Sequence, residues 1–456
     1  MFSRLAFSAL TISVLSSCLL AQGVQPYPDA ITNRQFYGKT AMAPLPVNTV
    51  FQDPDLGATM VRVTDGNTNQ NPNQLNGWFR NPPGDANEWS ADNSKFYVEG
   101  YDTTNLAFAF YPTTMTIGPL PGAAPGGGLN IPLREGPTFS FVDSDLMYGT
   151  VLKSPLTIAT YRFSTNQVTP LFDTTTCNTV PALVAGPKQS SNDTTTSNDD
   201  RRIVISAGGS SFGKRPFVIV YDQKRGCRWY NTQTGQVGGS WGPKGQVSLP
   251  DRFSVNHSKI SGNGQYVRIS VDRIGFYVWD VTSLNLQYCN IKTGPKCSGY
   301  GAVGYDTFLN APGSHDELNT FLRPLDDLTD LTQLINPLPK PYYNGMQKSW
   351  AWSNGAFDGD SLPPACGTLF SPSGDEDVKQ PYDGEVFCIE TDGVGQTIWR
   401  FAHNRAVWNP AYYWSQPYGN ISLDGHFFSF TSSWDNQVGV DPDGDPRTDI
   451  WIVHLQ

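Results

Sequence analysis

The densest run of reactive side chains lies between Phe401 and Trp434, in FAHNRAVWNPAYYWSQPYGNISLDGHFFSFTSSW. His403 and Arg405 stand two residues apart. Trp408, Tyr412, Tyr413, Trp414, Gln416 and Tyr418 follow, and the chain then enters Ser422-Leu423-Asp424-Gly425 and an apolar run. Arginine can neutralise a carboxylate through two parallel hydrogen bonds, and histidine or tyrosine can carry a proton. Trp408 and Trp414 sit among Asn, Pro and Gln, which suits a stacking platform for sugars; packing inside a β core is the other use of such rings.

Further candidates are spread along the chain. His257 stands immediately before a strand, a position open to a ligand, to a base, or to a hydrogen bond with a neighbouring element. Trp350 lies in the segment from Lys348 to Trp352. His315 falls in a long insertion and reads as solvated, and His426 and His454 read as structural. Asp441, Asp443, Asp445 and Asp449 crowd a turn-rich loop, and hard cations want several oxygens on such a loop. Ca²⁺ is the ion it would take; a solvated acidic loop is the alternative. The glycine and glutamate of an EF-hand are missing from this loop. No zinc-protease, phosphate-loop, nucleophile-elbow or Cys-x-x-Cys motif is present.

The elements that must position these residues are strands. Charged residues make up only 16% of the 456 residues, whereas Gly (44), Pro (35), Phe (25) and Trp (12) are abundant. No stretch keeps helical apolar spacing, so the chain reads as all-β with many short strands and almost no helix. A strand–turn–strand unit recurs from Trp89, Phe139, Asn198, His257, Gly301, Trp350 and Ile421. Gly275 to Val281 then Leu286 to Asn290, and Glu385 to Glu390 then Gln396 to Arg400, supply third and fourth strands. Copies near 139 and 301 are the weakest. Seven copies of a four-stranded unit predict a seven-bladed β-propeller over 51–456. The last copy has three strands, and the orphan strand 58–64 supplies its fourth and closes the ring. Residues 22–50 read as a proline-rich N-terminal arm.

Such a ring brings distant segments to one channel mouth: Asn256-His257, Lys348 to Trp352, the loop at 314–316, Phe401 to Gly419, and Asp435 to Asp449. The formal net charge of −10, with no run of more than two Lys or Arg, argues against nucleic acid as a partner. Arg4 and the apolar run Leu5 to Leu20, with Ala21-Gln22 as a cleavage point, make 1–21 a signal peptide, so the protein is expected to be secreted or periplasmic. Leu15-Ser16-Ser17-Cys18 leaves open a lipoprotein anchored through Cys18. The remaining six cysteines, Cys177, Cys227, Cys289, Cys297, Cys366 and Cys388, are expected to pair with sequence neighbours, Cys289–Cys297 first.

Ser422-Leu-Asp-Gly, Ser261-Gly-Asn-Gly and Ser90-Ala-Asp-Asn resemble the Ser-Pro-Asp-Gly repeats of TolB-like propellers. His257 ahead of one repeat, and Gln416-Pro417 ahead of another, resemble the His and Gln positions of the oligogalacturonate lyases. That resemblance implies a propeller with a divalent metal at its channel mouth and cleavage of uronate chains by β-elimination. The histidines that family carries near its Gln are missing and Tyr418 stands in one such place, which argues against a histidine-rich Mn²⁺ site. The ulvan lyases, propellers that use His, Tyr and Arg, imply a metal-free version with His257 or His403, Tyr413 or Tyr418, and Arg405. The expectation is an exported, monomeric propeller that engages extracellular polysaccharide or a cell-envelope ligand. It acts either as a lyase or as a non-catalytic binder.

Overall fold

The computed structural model describes residues 26–68, 78–82, 86–100, 104–134, 136–177, 189–191, 194–209, 216–248, 252–271, 275–290, 297, 301–310, 321–334, 351–352, 363–368, 381–382, 384–392, 397–407, 415–441 and 443–456. The signal-peptide assignment, Cys18, His315, Trp350, Trp408, Tyr412, Tyr413 and Trp414 lie outside them. Among the described residues there is no α-helix.

The strands form seven antiparallel sheets. Their innermost strands begin at Phe79, Thr138, Thr195, His257, Gly301, Ala351 and Gly419, one for each of the seven predicted copies; the first opens at Phe79, inside a stretch whose sequence reads as a polar loop, and Trp89, expected to open it, makes an isolated bridge to Phe96. The fourth blade is typical: His257–Ile260, Tyr266–Val271, Gly275–Asp280 and Leu286–Asn290 pair in sequence order. Both weak copies are complete blades, with four strands each in the sheets that begin at Thr138 and Gly301. The second and third strands of the blades pack on both faces, which is why sequence alternation there does not mean a wet face. Val267, Ile269 and Val271 fill the interface with the third blade. On the other face Arg268, fully buried, lays its guanidinium 4.7 Å from the Phe308 ring of the fifth blade.

Seven apolar clusters correspond to the seven blade interfaces. Each fully buried large side chain contributes roughly 1.5–3 kcal/mol, so the interfaces dominate stability. Four of the turns between first and second strands follow one local plan. In Ser90-Ala-Asp-Asn the Ser90 hydroxyl donates to Asp92 (2.9 Å) and accepts from the Lys95 N–H (2.9 Å). Ser261 with Asn263 and Tyr266, Ser422 with Asp424 and Phe427, and Ser197 with Asp199 and Arg202 repeat it. A short polar side chain two residues on holds the turn open for the next strand.

The three disulfides are Cys177–Cys227, Cys289–Cys297 and Cys366–Cys388, all between sequence neighbours. Ring closure is as expected: Thr59–Arg62 pairs with Asp449–His454 as the fourth strand of the seventh blade. A fifth strand, Val50–Gln52, adds outside it. Side chains lock this seam: the buried Asp449 carboxylate takes hydrogen bonds from the guanidiniums of Arg62 and Arg447 (2.9 Å to the latter) and from the Thr64 hydroxyl (3.3 Å). Arg62→Ala leaves Asp449 short of one cation in a dry site, so a loss of about 3 kcal/mol is expected. Urea denaturation checks it; a loss below about 0.5 kcal/mol would mean that the strand pairing alone shuts the ring.

Candidate functional site

Two neighbouring clusters sit where the outermost strand of the sixth blade, Ile398–His403, crosses to the innermost strand of the seventh, Gly419–Ile421. The first is built on His403. Its ring is 1% exposed, with Nε2 3.3 Å from the Tyr37 carbonyl and Nδ1 3.3 Å from an Asp55 oxygen and 3.7 Å from an Asp53 oxygen. Asp53 and Asp55 belong to the turn between the strands Val50–Gln52 and Thr59–Arg62, which docks on the sixth blade through Ala58 N–H to the Phe401 carbonyl (3.3 Å). Burial pushes the Asp53 carboxyl up, but the His403 ring and the N–H groups of His403 and Leu56 outweigh it and hold it below its ordinary value. Among the described residues, this trio is the group of potential metal ligands whose donor atoms lie within 4.8 Å of one another. Nothing in the sequence joined Asp53 and Asp55 to His403.

Arg405 anchors the second cluster. It is 1% exposed and left-handed (φ 53°), with Nη1 3.5 Å from Asp435 and the guanidinium 5.0 Å from the Trp434 ring. Among the described residues its buried Nε and Nη2 have no acceptor. Lys39, from the N-terminal arm, pairs with the same Asp435. Farther along the crossover, Gln416 is 9% exposed and its Oε1 has no donor among the described residues, while Tyr418 is equally buried. The Pro417 carbonyl accepts from the Thr368 hydroxyl, and the Tyr418 carbonyl accepts from the Thr431 N–H (2.7 Å), so the crossover is tied to the blades on both sides.

The other candidates belong to other elements. His257 opens the innermost strand of the fourth blade, half-buried. Asp441 accepts the N–H groups of Asp443 (3.0 Å) and Asp445 (2.9 Å) in an Asx turn, and Asp449 is enclosed by the arginines of the ring seam. That loop does not bring three carboxylate donors together within 4.8 Å.

Sequence reasoning passed over one strongly perturbed group. Glu88, between the first and seventh blades, is 1% exposed, and burial pushes its carboxyl up to about 8 despite hydrogen bonds from Asn81 (2.8 and 2.9 Å) and Ser429 (2.7 Å); the nearby Glu99 adds to the rise. Asn420, on the innermost strand, contributes to the same network.

These features define a class: a seven-bladed propeller whose sixth-to-seventh crossover carries a buried, incompletely paired cation. No family model and no curated protein matches the sequence. Solved structures similar in fold include two of oligogalacturonate lyase. Oligogalacturonate lyase from Vibrio parahaemolyticus aligns with TM-score 0.55 at 11% identity, over 91% of this chain and 99% of that one. An oligogalacturonate lyase in complex with manganese gives 0.51 at 12%, with the same coverage. At such identity the likeness establishes the seven-bladed fold. In this chain Gln416 Oε1 is a buried acceptor, and among the described residues no group of three His, Cys, Asp or Glu donors gathers around it.

Glu88 makes a pH prediction. Its folded value lies near 8, whereas an unfolded-chain glutamate ionises at about 4.3, so unfolding releases a proton between them. Stability should therefore fall as pH rises from about 5 to about 8, and Glu88→Gln should flatten that slope. Urea midpoints across the range check it; equal slopes in both proteins would mean that Glu88 is ionised in the fold.

Proposed function

We propose that this protein is an exported propeller that engages an acidic extracellular polysaccharide through the crossover 404–418, and that it acts there as a lyase, cleaving uronate linkages by β-elimination. The observation that carries the reading is Arg405: a guanidinium withheld from water, with Nε and Nη2 unanswered and its carboxylate partner at 3.5 Å. Unmade hydrogen bonds of a buried cation are costly, and a uronate carboxylate supplies what they lack. Gln416 Oε1 is the complementary lack, an acceptor that a sugar hydroxyl would satisfy. Three disulfides suit an oxidising compartment and so support export.

In this mechanism Arg405 neutralises the uronate carboxylate and acidifies the adjacent C–H. A base takes that proton, its electron pair becomes the new C=C bond, and the glycosidic C–O bond breaks as the departing oxygen is protonated. Tyr418 is the candidate proton donor. His257, half-buried at the head of its strand, suits the base better than His403, whose ring is enclosed between Tyr37 and two carboxylates. A second reading, a propeller that binds a glycan or envelope partner without cleaving it, is favoured by the burial of Arg405, His403 and Tyr418. Side chains so enclosed meet a bound chain only if the crossover moves.

Absorbance at about 235 nm, where the unsaturated uronate left by elimination absorbs, separates the two on a panel of acidic polysaccharides. A rise in the wild type that falls by roughly 100-fold or more in Arg405→Ala, with the fold intact by circular dichroism, is expected. Binding without a rise would leave the recognition reading, and neither binding nor a rise on any acidic glycan would remove both.

A further inference from the structure

We propose that Asp53, Asp55 and His403 form a divalent-cation site on the outer rim of the propeller, distinct from the crossover cation at Arg405, and that the bound ion clasps the closing hairpin to the sixth blade. The argument begins with the imidazole. Nε2 faces the Tyr37 carbonyl at 3.3 Å, and an N–H there is the arrangement that carbonyl favours. In the neutral ring Nδ1 then presents a lone pair, and among the described residues it is buried without a hydrogen-bond partner. It faces carboxylate oxygens of Asp55 at 3.3 Å and Asp53 at 3.7 Å. A lone pair set against two anions in a dry pocket calls for a positive charge among them.

The spacing suits a metal. An ion that binds nitrogen and oxygen at about 2.0–2.2 Å in tetrahedral geometry holds its ligand atoms about 3.4 Å apart. Outer hydrogen bonds fix each ligand, as metal sites require. Asp53 accepts N–H groups from Asp55 (3.0 Å), Leu56 (2.8 Å) and His403 (3.0 Å). Asp55 accepts from the N–H (2.8 Å) and hydroxyl of Thr40. One imidazole and two carboxylates favour a first-row transition ion or Zn²⁺; Ca²⁺, which takes about six to eight oxygens, is poorly served. Asp55, with its side chain 12% exposed, leaves a path for entry and for a water as a further ligand.

The ion would join three separate stretches: the arm at Tyr37 and Thr40, the hairpin turn 53–57, and the strand Ile398–His403. The test uses the full chain, stripped with EDTA and reloaded with Zn²⁺, or with Co²⁺ for its visible spectrum. Expected are about one equivalent of Zn²⁺ per chain after dialysis, a melting temperature that rises with Zn²⁺ and falls with EDTA, and Co²⁺ absorption bands of a site with low coordination number. Asp55→Asn and His403→Gln should each lose all three while keeping the β circular-dichroism spectrum. Melting indifferent to Zn²⁺ and EDTA, with no metal retained by the wild type, overturns the proposal and leaves a protonated His403 paired with the two carboxylates. Metal retained equally by both variants overturns it too. Should one variant fail to fold, the other and the wild-type stoichiometry decide.

Discussion

Seven apolar interfaces hold only while the ring is shut, and the ring is shut by one short antiparallel pairing, Met60 to Val453 through Arg62 to Trp451. Three residue pairs of ladder contribute on the order of a few kcal/mol, little for a ring of this size. Additional ties share the load. Arg62 and Arg447 converge on Asp449, and the Ile450 N–H donates to the Thr64 hydroxyl (2.9 Å). Upstream, the arm runs along the outer edge of the sixth blade. Tyr27 packs edge-on against Trp399 (5.3 Å) and Phe401 (5.1 Å) and donates to the Gly425 carbonyl (3.0 Å), and the Arg400 N–H donates to the Ile31 carbonyl (2.9 Å). The fully buried Arg400 guanidinium is shared between Glu385 and the carbonyls of Asn33 (2.9 Å) and Gln35 (2.7 Å). An edge strand that would otherwise be open to pairing is thereby covered.

A second, quieter constraint runs around the ring. The turns between first and second strands reach across blade boundaries to one another. Asp200 accepts from the Phe141 N–H (3.0 Å) and from the Ser140 hydroxyl; the Asn198 N–H donates to the Gly262 carbonyl (2.9 Å). Gly262 and Asn263 donate on to Gly304 (2.9 Å) and Tyr305 (3.0 Å), and the Leu423 N–H donates to Asn93 (3.1 Å) across the closure. The Ser-x-Asp/Asn plan therefore does two jobs. It sets each local turn and presents polar backbone to the next blade, where apolar packing alone would let blades slide.

Much of this was legible because it is local. The Ser-x-Asp/Asn repeat marks its blades from the sequence at Ser90, Ser261 and Ser422, and the structure adds Ser197 to the same plan. The blades at Thr138 and Gly301 were faint because their turns are completed by neighbours: Ser140 and Phe141 borrow Asp200, and Gly304 and Tyr305 receive bonds from the fourth blade. Strand 58–64 could be assigned to the closure since it had no local partner, whereas Val50–Gln52 is a mostly exposed edge of three residues with nothing to advertise it. The site was legible as chemistry but not as geometry. His403 and Arg405 stood out by type, yet Asp53 lies 350 residues from His403 and Arg62 lies 387 from Asp449. Contacts at such separation leave no periodicity, and burial of a charge shows only once its partner is known.

The arm links closure to the crossover in a more specific way. Arg405, Trp434, Asp435 and Asn436 all adopt left-handed backbone conformations (φ 53°, 47°, 56° and 59°). For non-glycine residues this costs about 1–2 kcal/mol each, and for a bulky tryptophan it is rare. What holds Trp434 there is packing from elsewhere. Its ring stacks on Trp451 (3.8 Å) with Phe51 edge-on (5.9 Å), and its Nε1–H donates to the Met42 carbonyl (2.8 Å). The Asp435 N–H then donates to the Arg405 carbonyl (2.7 Å), and Lys39 shares its carboxylate. Phe51, Met42 and Lys39 all belong to the arm and the strand that follows it. The strained turn, and with it the position of the Arg405 guanidinium, is thus imposed by the same segment that shuts the ring. Loosening the arm would relax the turn and withdraw Asp435 from Arg405, so ring closure and the setting of the Arg405 guanidinium are one structural variable rather than two.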